Sequence, residues 1–394
     1  MSAGPTPLSG IKVVEFTHMV MGPAVGHILA GLGAEVTRVE PIGGDQTRRL
    51  LGSGSGYFPM YNRGKRSICL DLKSAGGLQV ARDMCAAADV LVENFRPGAL
   101  DRLGLGYEAL AETNPRLIYA CEKGFLPGPY EARTALDEVA QMMGGLAYMT
   151  GPPGRPLRAG TSVIDVTGGM FGVIGVLAAL EERHRTGRGQ KVVASLFETT
   201  AYLVGQHMAQ FAVTGKPAAP MPARVSAWAI YDVFETKDEP VFIGVVTDAL
   251  WEKFCALFGL DALWADLSLR ANNQRVMARE SILPSIRDLI AAMTRAEVIA
   301  RLDGTGMPFA AIGKPEDLFD DPHLAAGGLE PVTLDDGRET RLPTIPLEMA
   351  GKRPGGGARL PLPGANARTV LTDLGYDEAL IAGLFADGVV EENL

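Results

Sequence analysis

One carboxylate in this 394-residue chain is a candidate nucleophile by its type and position. Asp165 lies in the segment SVIDVTGG, directly before the most apolar helix that the sequence predicts. A positioned carboxylate can attack an acyl group and form a covalent intermediate. Aspartate is also a favoured helix N-cap, and spacing alone does not decide between these roles. At a helix N-terminus we expect Asp165 to stay ionised.

The turn after the first predicted strand contains His18 and leads into a predicted helix over 23–32. Ligands of open α/β sheets bind outside the carboxyl ends of strands, where a helix N-terminus offers N–H groups to an anion. The dinucleotide fingerprint G-x-G-x-x-G does not occur at this turn. Taken alone, the turn is better interpreted as structural and His18 as a packed histidine.

A second loop, which begins with Asn94, Phe95 and Arg96, follows the strand predicted over 90–93. An amide, an aromatic ring and a guanidinium at a strand end could hold an adenine ring and phosphates. An ordinary βα loop is the alternative, and the residues alone favour it slightly. Cations cluster in this part of the chain, for which a solvated face is the default interpretation: Lys65, Arg66, Lys73, Arg96 and Arg102.

Strand-like and helix-like segments alternate through the first half of the chain. The predicted strands are 11–16, 35–39, 67–72, 90–93, 117–121 and 190–196. The predicted helices are 23–32, 76–88, 170–185 and a further one that ends near 210. This alternation predicts the α/β class, with a Rossmann-like, doubly wound parallel sheet.

A proline-rich segment over 214–222 indicates a linker. Beyond it, a hairpin pattern (229–235 and 240–246) and helices over 249–258, 282–293 and 295–302 predict a smaller α+β domain of residues 222–325. We expect residues 1–215 to form the large α/β domain and residues 326–394 to return to it. The tail over 361–394 is predicted to be helical.

Composition and charge exclude several classes of protein. Apolar residues make up 47% of the chain and charged residues 21%, which excludes wholesale disorder. The net charge of −9 argues against a nonspecific nucleic-acid binder. The apolar run over 170–180 is too short to span a bilayer, and residues 1–10 lack the pattern of a signal peptide. Four scattered cysteines, without metal-ligand spacing, favour a cytoplasmic protein with no metal.

Several segments, in this order and spacing, resemble the class III CoA-transferases, the family of formyl-CoA transferase and carnitine CoA-transferase. They are LSGIKVVEFTHMVMGP, LGAEVTRVE, NRGKRSICLDLK, ENFRPGALDRLG, SVIDVTGGM and RHRTGRGQKV. The resemblance spans nearly the whole chain. It implies an acyl-CoA and a carboxylic acid as substrates, no tightly bound cofactor, and an interlocked homodimer.

The resemblance also implies roles for individual residues. Asp165 matches the catalytic aspartate of the transferases, and Arg38 matches an arginine that related racemases use for the cofactor. The other positions that match CoA contacts are Val20, Met21, Leu70 to Lys73, Asn94, Phe95, Arg96, Arg102 and the segment 134–137 with Leu136 and Asp137.

This chain departs from the members of the family that it resembles at Val20, at the Leu136-Asp137 pair and in a missing flap, and these differences bear on the reaction. Val20 and the Leu136-Asp137 pair replace a glutamine and a tyrosine–glutamate pair of formyl-CoA transferase, and the glycine-rich flap ahead of the hairpin is missing. Formate and oxalate are therefore disfavoured as substrates. The α-methylacyl-CoA racemases of the family carry a histidine at the position of Leu136. Leucine cannot carry a proton, so a transferase is favoured, with Asp137 left as a candidate acid.

The expected reaction is CoA transfer through an aspartyl anhydride and an aspartyl-CoA thioester. Backbone N–H groups near Gly168 and Gly169 are candidates for stabilising the oxyanion, and these glycines would let a thioester approach. His18, Arg48 or Arg49 could anchor a second carboxylate, although a surface or phosphate role for the arginines is at least as well supported. We expect succinyl-CoA or a similar donor. A racemase and intramolecular transfer within one dicarboxylic acid remain the alternatives.

Overall fold

A computed structural model describes residues 6–224 and 226–393 of the chain. Residues 1–5 of the N-terminal stretch discussed above, Val225, and Leu394 at the end of the predicted helical tail lie outside the described residues. The chain divides into two compact units. The first contains residues 1–220 and 322–394, and the second contains residues 221–321.

The strands, numbered along the chain, are β1 (Lys12–Phe16), β2 (Glu35–Glu40), β3 (Arg66–Leu70), β4 (Val90–Glu93), β5 (Ile118–Lys123), β6 (Lys191–Ser195), β7 (Tyr231–Phe234), β8 (Val241–Gly244), β9 (Phe309–Ala311), β10 (Leu329–Thr333), β11 (Glu339–Pro343) and β12 (Val390–Glu391).

The helices are α1 (Met21–Gly31), α2 (Tyr57–Tyr61), α3 (Ala75–Ala87), α4 (Tyr107–Thr113), α5 (Asp137–Met143), α6 (Leu146–Thr150), α7 (Val163–Thr186), α8 (Leu196–Thr214), α9 (Asp248–Phe258), α10 (Asp261–Ala265), α11 (Asn272–Met277), α12 (Arg279–Ala291), α13 (Arg295–Leu302), α14 (Pro322–Ala325), α15 (Ala367–Asp373) and α16 (Glu378–Ala386).

A mostly parallel sheet forms the centre of the first unit, with the strand order β12-β3-β2-β1-β4-β5-β6. β1 to β6 run parallel, and β12 adds to β3 in the antiparallel sense. The α/β class predicted from the alternating segments is therefore confirmed. The order of strands reverses between β1 and β4, which pair directly. At such a reversal the loops that leave the two strands diverge, so a crevice forms at their carboxyl ends.

Helices cover both faces of this sheet. On one face, Val25 and Leu29 of α1 and Val176 of α7 are buried against Val13 and Val92 of the sheet. On the other face, residues of α3, α4, α15 and α16 share a core with the opposite sides of the same strands. Alternate residues of each strand point to opposite faces of the sheet. Both faces are therefore buried under helices, as expected for a doubly wound sheet.

The second unit contains a three-stranded antiparallel sheet in the order β7-β8-β9. Its core packs Trp251 and Phe254 of α9 with Ile286 of α12 and Val298 of α13. The small domain expected over 222–325 differs from this unit by one residue at its start and four residues at its end.

The sequence did not predict two features of the first unit. β10 and β11 form an antiparallel hairpin after the second unit. The expectation of a purely helical tail is wrong in one respect, because β12 follows α16 and pairs with Cys69 and Leu70 of β3. A two-residue strand is too short to show a periodic pattern, so its position depends on the open edge of β3.

Helix α7 begins seven residues earlier than predicted and ends at Thr186, with Gly187 as its C-cap at a φ of 71°. By length and composition alone it is apolar enough to cross a membrane, a test that the core helices of soluble proteins also meet. Val173, Val176 and Leu180 of α7 are buried in the core of the first unit.

Buried carboxylates lie between the sheet and its helices, where glycines leave room for them. Glu15 of β1 is fully buried and accepts hydrogen bonds from Lys65 Nζ at 2.8 and 3.0 Å. A Cβ atom at Gly26 of α1 would lie 1.9 Å from Glu15 Oε2. Helix α1 therefore needs glycine at this position to pack over the Glu15–Lys65 ion pair.

Replacing Gly26→Ala should destabilise the protein by roughly 1–3 kcal/mol, because the added methyl group displaces a buried ion pair. The matched control is Gly383→Ala in α16, where a Cβ atom would meet nothing within 4 Å. That change should stabilise the fold by roughly 0.5–1 kcal/mol, the helix preference of alanine over glycine. Denaturant unfolding measures both. An equal gain in stability for the two variants would contradict the packing described here.

Candidate active site

A cavity of about 720 Å³ opens at the carboxyl ends of β1, β4 and β5, where the strand order reverses. The residues predicted from the sequence that line it are His18, Val20, Met21, Asn94, Phe95, Arg96, Arg102, Leu136, Asp137 and Asp165. The crevice of the sheet thus brings together most of the predicted site from segments that are up to 147 residues apart in sequence. Their roles remain predictions.

Asn94 joins the two loops of the crevice. Its Oδ1 atom accepts a hydrogen bond from the His18 N–H at 3.0 Å, and its Nδ2 atom donates to the His18 carbonyl at 2.8 Å. The His18 and Phe95 rings lie 5.6 Å apart between centroids. The amide side chain of Asn94 is therefore engaged with the protein backbone, which fixes the turn after β1 against the loop after β4.

Burial lowers the pKa of His18, although the charge of Asp45 acts in the opposite direction. The imidazole is therefore neutral at neutral pH. It lines the cavity as a hydrogen-bonding group and not as a cation, so the anchoring of a second carboxylate expected for His18 would have to use a neutral ring.

Asp165 is the third residue of α7, and the N-cap position belongs to Ser162. The N-cap role considered from the sequence is therefore wrong. The side chain of Asp165 has no hydrogen-bond partner among residues 6–224 and 226–393, and it lines the cavity. The carboxylate is thus available to a ligand.

Asp137 provides the cap that α7 lacks locally. Its Oδ2 atom accepts hydrogen bonds from the N–H groups of Ile164 at 2.7 Å and Asp165 at 3.1 Å. Its Oδ1 atom accepts a hydrogen bond from Gln141. Free N–H groups of a first helical turn are satisfied in this way, and the helix dipole favours the negative charge. Because both oxygens are occupied as acceptors, Asp137 does not fit the role of an acid that the sequence left open.

The environment of Asp165 raises its pKa to about 7, first by burial and then through the charges of Asp137 and Glu138. The expectation of a carboxylate held fully ionised by the helix terminus is therefore wrong. Desolvation and two neighbouring carboxylates outweigh the helix dipole. At neutral pH the group is close to the midpoint of its titration.

Gly168 and Gly169 have a packing role and not the substrate role that the sequence suggested. A Cβ atom at Gly168 would lie 2.7 Å from Met21 Cε, and one at Gly169 would lie 2.9 Å from the Met21 carbonyl oxygen. Both residues follow the first four positions of α7, so their N–H groups bond within the helix. These N–H groups are therefore not available to an oxyanion.

Arg48 and Arg49 do not line the cavity. Arg48 Nη2 and Nε contact the Glu40 carboxylate at 2.7 and 2.8 Å, and its guanidinium stacks on the Phe58 ring at 3.8 Å. Arg49 donates to the backbone carbonyl of Gly43 at 2.9 Å. The expectation that either arginine anchors a second carboxylate is contradicted, because the Arg48 guanidinium is already paired and the Arg49 guanidinium is bonded to a neighbouring loop.

Three positions that the resemblance connected with CoA also lie outside the cavity lining. Arg38 is fully buried and donates to Thr17, Asn62 and Asp45. Leu70 is part of the hydrophobic core. Lys73 is exposed and follows the carboxyl end of β3, at the same end of the strands as the cavity. Arg38 and Leu70 therefore stabilise the fold below the site rather than facing a ligand there.

Three arginines at the cavity, in contrast, have no carboxylate partner among the described residues. Arg96, Arg102 and Arg133 all line the cavity and are exposed. The Arg133 guanidinium lies 4.9 Å from the centroid of the Tyr130 ring. Unpaired guanidinium groups bind phosphate oxygens well, so this part of the cavity suits a polyanionic ligand.

Some residues of the site gave no signal in the sequence. Tyr57 and Met19 line the cavity, and Glu122 of β5 is buried there with neither carboxylate oxygen bonded to a described residue. Burial and the charge of Glu93 raise the pKa of Glu122 well above its usual range, which favours its protonated form. In the described residues no group of three or more histidine, cysteine, aspartate or glutamate side chains is placed to hold a metal ion.

Comparison with known proteins gives the site its context. Residues 8–369 match the model of CoA-transferase family III. The acetyl-CoA:oxalate CoA-transferase of Acetobacter aceti is 35% identical, over 89% of this chain and 92% of the relative. The succinyl-CoA:glutarate CoA-transferase of Mus musculus is 31% identical, over 98% of this chain and 91% of the relative.

Solved structures agree with this assignment. A CaiB/BaiF family protein from Brucella suis superimposes with a TM-score of 0.83 at 31% identity, covering 94% of this chain and all of the other. The family model spans β1 to β6 of the sheet, the crevice and the segment that contains Asp165. The chain therefore belongs to CoA-transferase family III and is a CoA-transferase.

Proposed function

We propose that this enzyme moves CoA from a dicarboxylyl-CoA donor, such as succinyl-CoA, to a carboxylic acid acceptor through covalent intermediates on Asp165. The observation that carries the proposal is the Asp165 carboxylate, which lies in the cavity of a CoA-transferase without a hydrogen-bond partner among the described residues. A partly desolvated carboxylate with a raised pKa is a better nucleophile than one in water.

The reaction proceeds in two halves. Asp165 attacks the thioester carbonyl of the donor and expels CoA thiolate, which leaves a mixed anhydride. The thiolate attacks the Asp165 carbonyl, releases the donor acid as a carboxylate and forms an aspartyl-CoA thioester. The acceptor carboxylate attacks this thioester and forms a second anhydride. The released thiolate then attacks the acceptor's carbonyl, which gives the new acyl-CoA and restores the Asp165 carboxylate.

The cavity residues have complementary roles in this proposal. Arg96 and Arg102 bind phosphates of CoA, since neither has a carboxylate partner in the described chain. Val20, Met21 and Leu196 supply an apolar wall near Asp165. Exclusion of water is required, because both the anhydride and the thioester hydrolyse.

The donor is inferred from relatives. The mouse protein is named a succinyl-CoA:glutarate CoA-transferase, and an Agrobacterium fabrum protein, 32% identical over 86% of this chain, is named a succinate–glutarate CoA-transferase. Four- and five-carbon dicarboxylic acids are therefore the first substrates to test. Transfer between the two carboxyl groups of one acid uses the same chemistry and is the intramolecular form of the proposal.

A racemase is less well supported than a transferase. Racemisation requires a base on each face of the α-carbon. Leu136 on the cavity wall has no ionisable group, and the carboxylate of Asp137 is occupied by the N–H groups of α7. Neither Leu136 nor Asp137 can therefore serve as the base opposite Asp165.

Replacing Asp165→Asn should abolish CoA transfer, because the amide cannot form the anhydride. Wild-type enzyme incubated with succinyl-CoA and hydroxylamine should gain a hydroxamate on Asp165 alone, which mass spectrometry detects. Binding of CoA, measured by calorimetry, should persist in the variant. Retention of more than a few per cent of the wild-type transfer rate would assign the nucleophile to another residue.

The rate of transfer should rise with pH through a midpoint near the Asp165 pKa of about 7, since only the ionised carboxylate attacks. Asp137→Asn removes one of the charges that raise this pKa, so the midpoint should fall by about one pH unit. Glu138→Gln is the matched control. It should give a smaller shift in the same direction, because Glu138 is half-exposed and screened by solvent. Identical midpoints in all three proteins would refute the electrostatic account.

We also propose that the enzyme is an interlocked homodimer. Met170, Ile174 and Leu177 form an exposed apolar stripe along α7, and Tyr202 and Met208 of α8 are also exposed. An uncovered apolar surface of this kind is typical of an interface.

Interlocking predicts that two differently tagged pure dimers yield no hybrid dimers after they are mixed for a day, whereas co-expression of the two tagged chains does yield hybrids. Hybrids formed on mixing would refute interlocking. The cytoplasmic location stays a prediction.

A further inference from the structure

A strained turn forms the cavity wall near Asp165. Met19 has a φ of 62°, and it shares a positive φ with Ala350 alone among the non-glycine residues that the structure describes. The left-handed conformation is unfavourable for a residue with a side chain and persists only where the surroundings impose it. The turn places Val20 and Met21 in the cavity wall directly after Met19.

The hydroxyl group of Thr47 holds this conformation. Thr47 Oγ1 accepts a hydrogen bond from the Met19 N–H at 3.2 Å and lies 4.0 Å from Met19 Sδ. Thr47 itself is buried and fixed, because its N–H donates to Asp45 Oδ1 at 2.7 Å and Asp45 is paired with Arg38. The buried ion pair of Arg38 and Asp45 is thus connected to the cavity wall through Thr47.

The turn held by Thr47 leads into α1, which contacts the helix that carries Asp165, α7. Met21 packs against Gly168 and Gly169, which lie three and four residues after Asp165. Residues at this spacing share one face of a helix with Asp165. A change in the conformation of Met19 would therefore move the wall that faces the nucleophile.

We propose that Thr47 is a positioning residue, which keeps Met19 left-handed and thereby keeps the wall of residues 19–21 closed against Asp165. The inference rests on the proposed function. Without the hydroxyl group, Met19 relaxes to a negative φ and water reaches the aspartyl-CoA thioester. Water then attacks the thioester carbonyl, which gives the Asp165 carboxylate, free CoA thiol and a proton. The thioester is consumed by hydrolysis instead of transfer.

The test compares Thr47→Val, which removes the hydroxyl group at nearly constant shape, with Thr47→Ser, which keeps it. Succinyl-CoA is the donor and glutarate the acceptor. Free CoA thiol reports hydrolysis, and glutaryl-CoA reports transfer. Thr47→Val should raise the ratio of hydrolysis to transfer about tenfold, with the KM for succinyl-CoA within about twofold of wild type. Thr47→Ser should keep the wild-type ratio.

The effect of Thr47→Val is then measured in the Met19→Gly variant, because glycine adopts a positive φ without support. In this background, Thr47→Val should change the ratio less than twofold relative to Met19→Gly alone. An unchanged ratio for Thr47→Val, or an equal effect in both backgrounds, overturns the proposal. Should Thr47→Val alone fail to fold, the double variant must fold and match Met19→Gly. Failure of the double variant to fold also overturns it.

Amide hydrogen exchange separates this inference from the proposed function. Thr47→Val should speed the exchange of a peptide covering residues 17–21, and the effect should vanish in the Met19→Gly background. This readout requires no acyl substrate. A wild-type enzyme without an adduct on Asp165 would refute the covalent mechanism, whereas unchanged exchange in Thr47→Val would refute the role of Thr47.

Discussion

Close contact between α1 and α7 is the constraint on which the site depends. A Cβ atom at Gly168 or Gly169 would clash with Met21, so the two helices reach this distance only because α7 has glycine on the face below Asp165. Residues three and four positions apart share a helix face. The face of α7 that contacts α1 is therefore also the face that carries Asp165. Because α1 starts at the reversal of strand order, the contact places Asp165 over the crevice.

Asp137 has two opposed effects on this carboxylate. It fixes the first turn of α7 through the N–H groups of Ile164 and Asp165, and its negative charge also disfavours ionisation of Asp165. Burial adds to the second effect. The outcome is a group with a pKa of about 7, close to neutral pH. The desolvation that raises the pKa also makes the ionised form more basic and less solvated, although a smaller fraction is ready to attack.

The sequence predicted the sheet well because its strands are β-branched runs bounded by turns, and the strand over 90–93 matches β4 at both ends. The residues alone favoured structural loops after β1 and β4, and it was the resemblance to a family that implied a place for both loops in the site, where they line the cavity. The cap from Asp137 to α7 spans 28 residues, as does the hydrogen bond from Met19 to Thr47. Neither leaves a local pattern, because both depend on how separate elements pack. The short strand β12 was missed for the same reason.

The arginines show most clearly why residue type alone misleads about ligand binding. Arg38 and Arg48 are among the best phosphate or carboxylate binders by type, yet they are buried in ion pairs with Asp45 and Glu40. Withdrawing either guanidinium would leave a buried carboxylate uncompensated, which is strongly unfavourable. These cations are therefore committed to the fold. In an acidic protein, attraction of a polyanion then depends on cations that lack such partners, and Arg96, Arg102 and Arg133 meet this condition at the cavity.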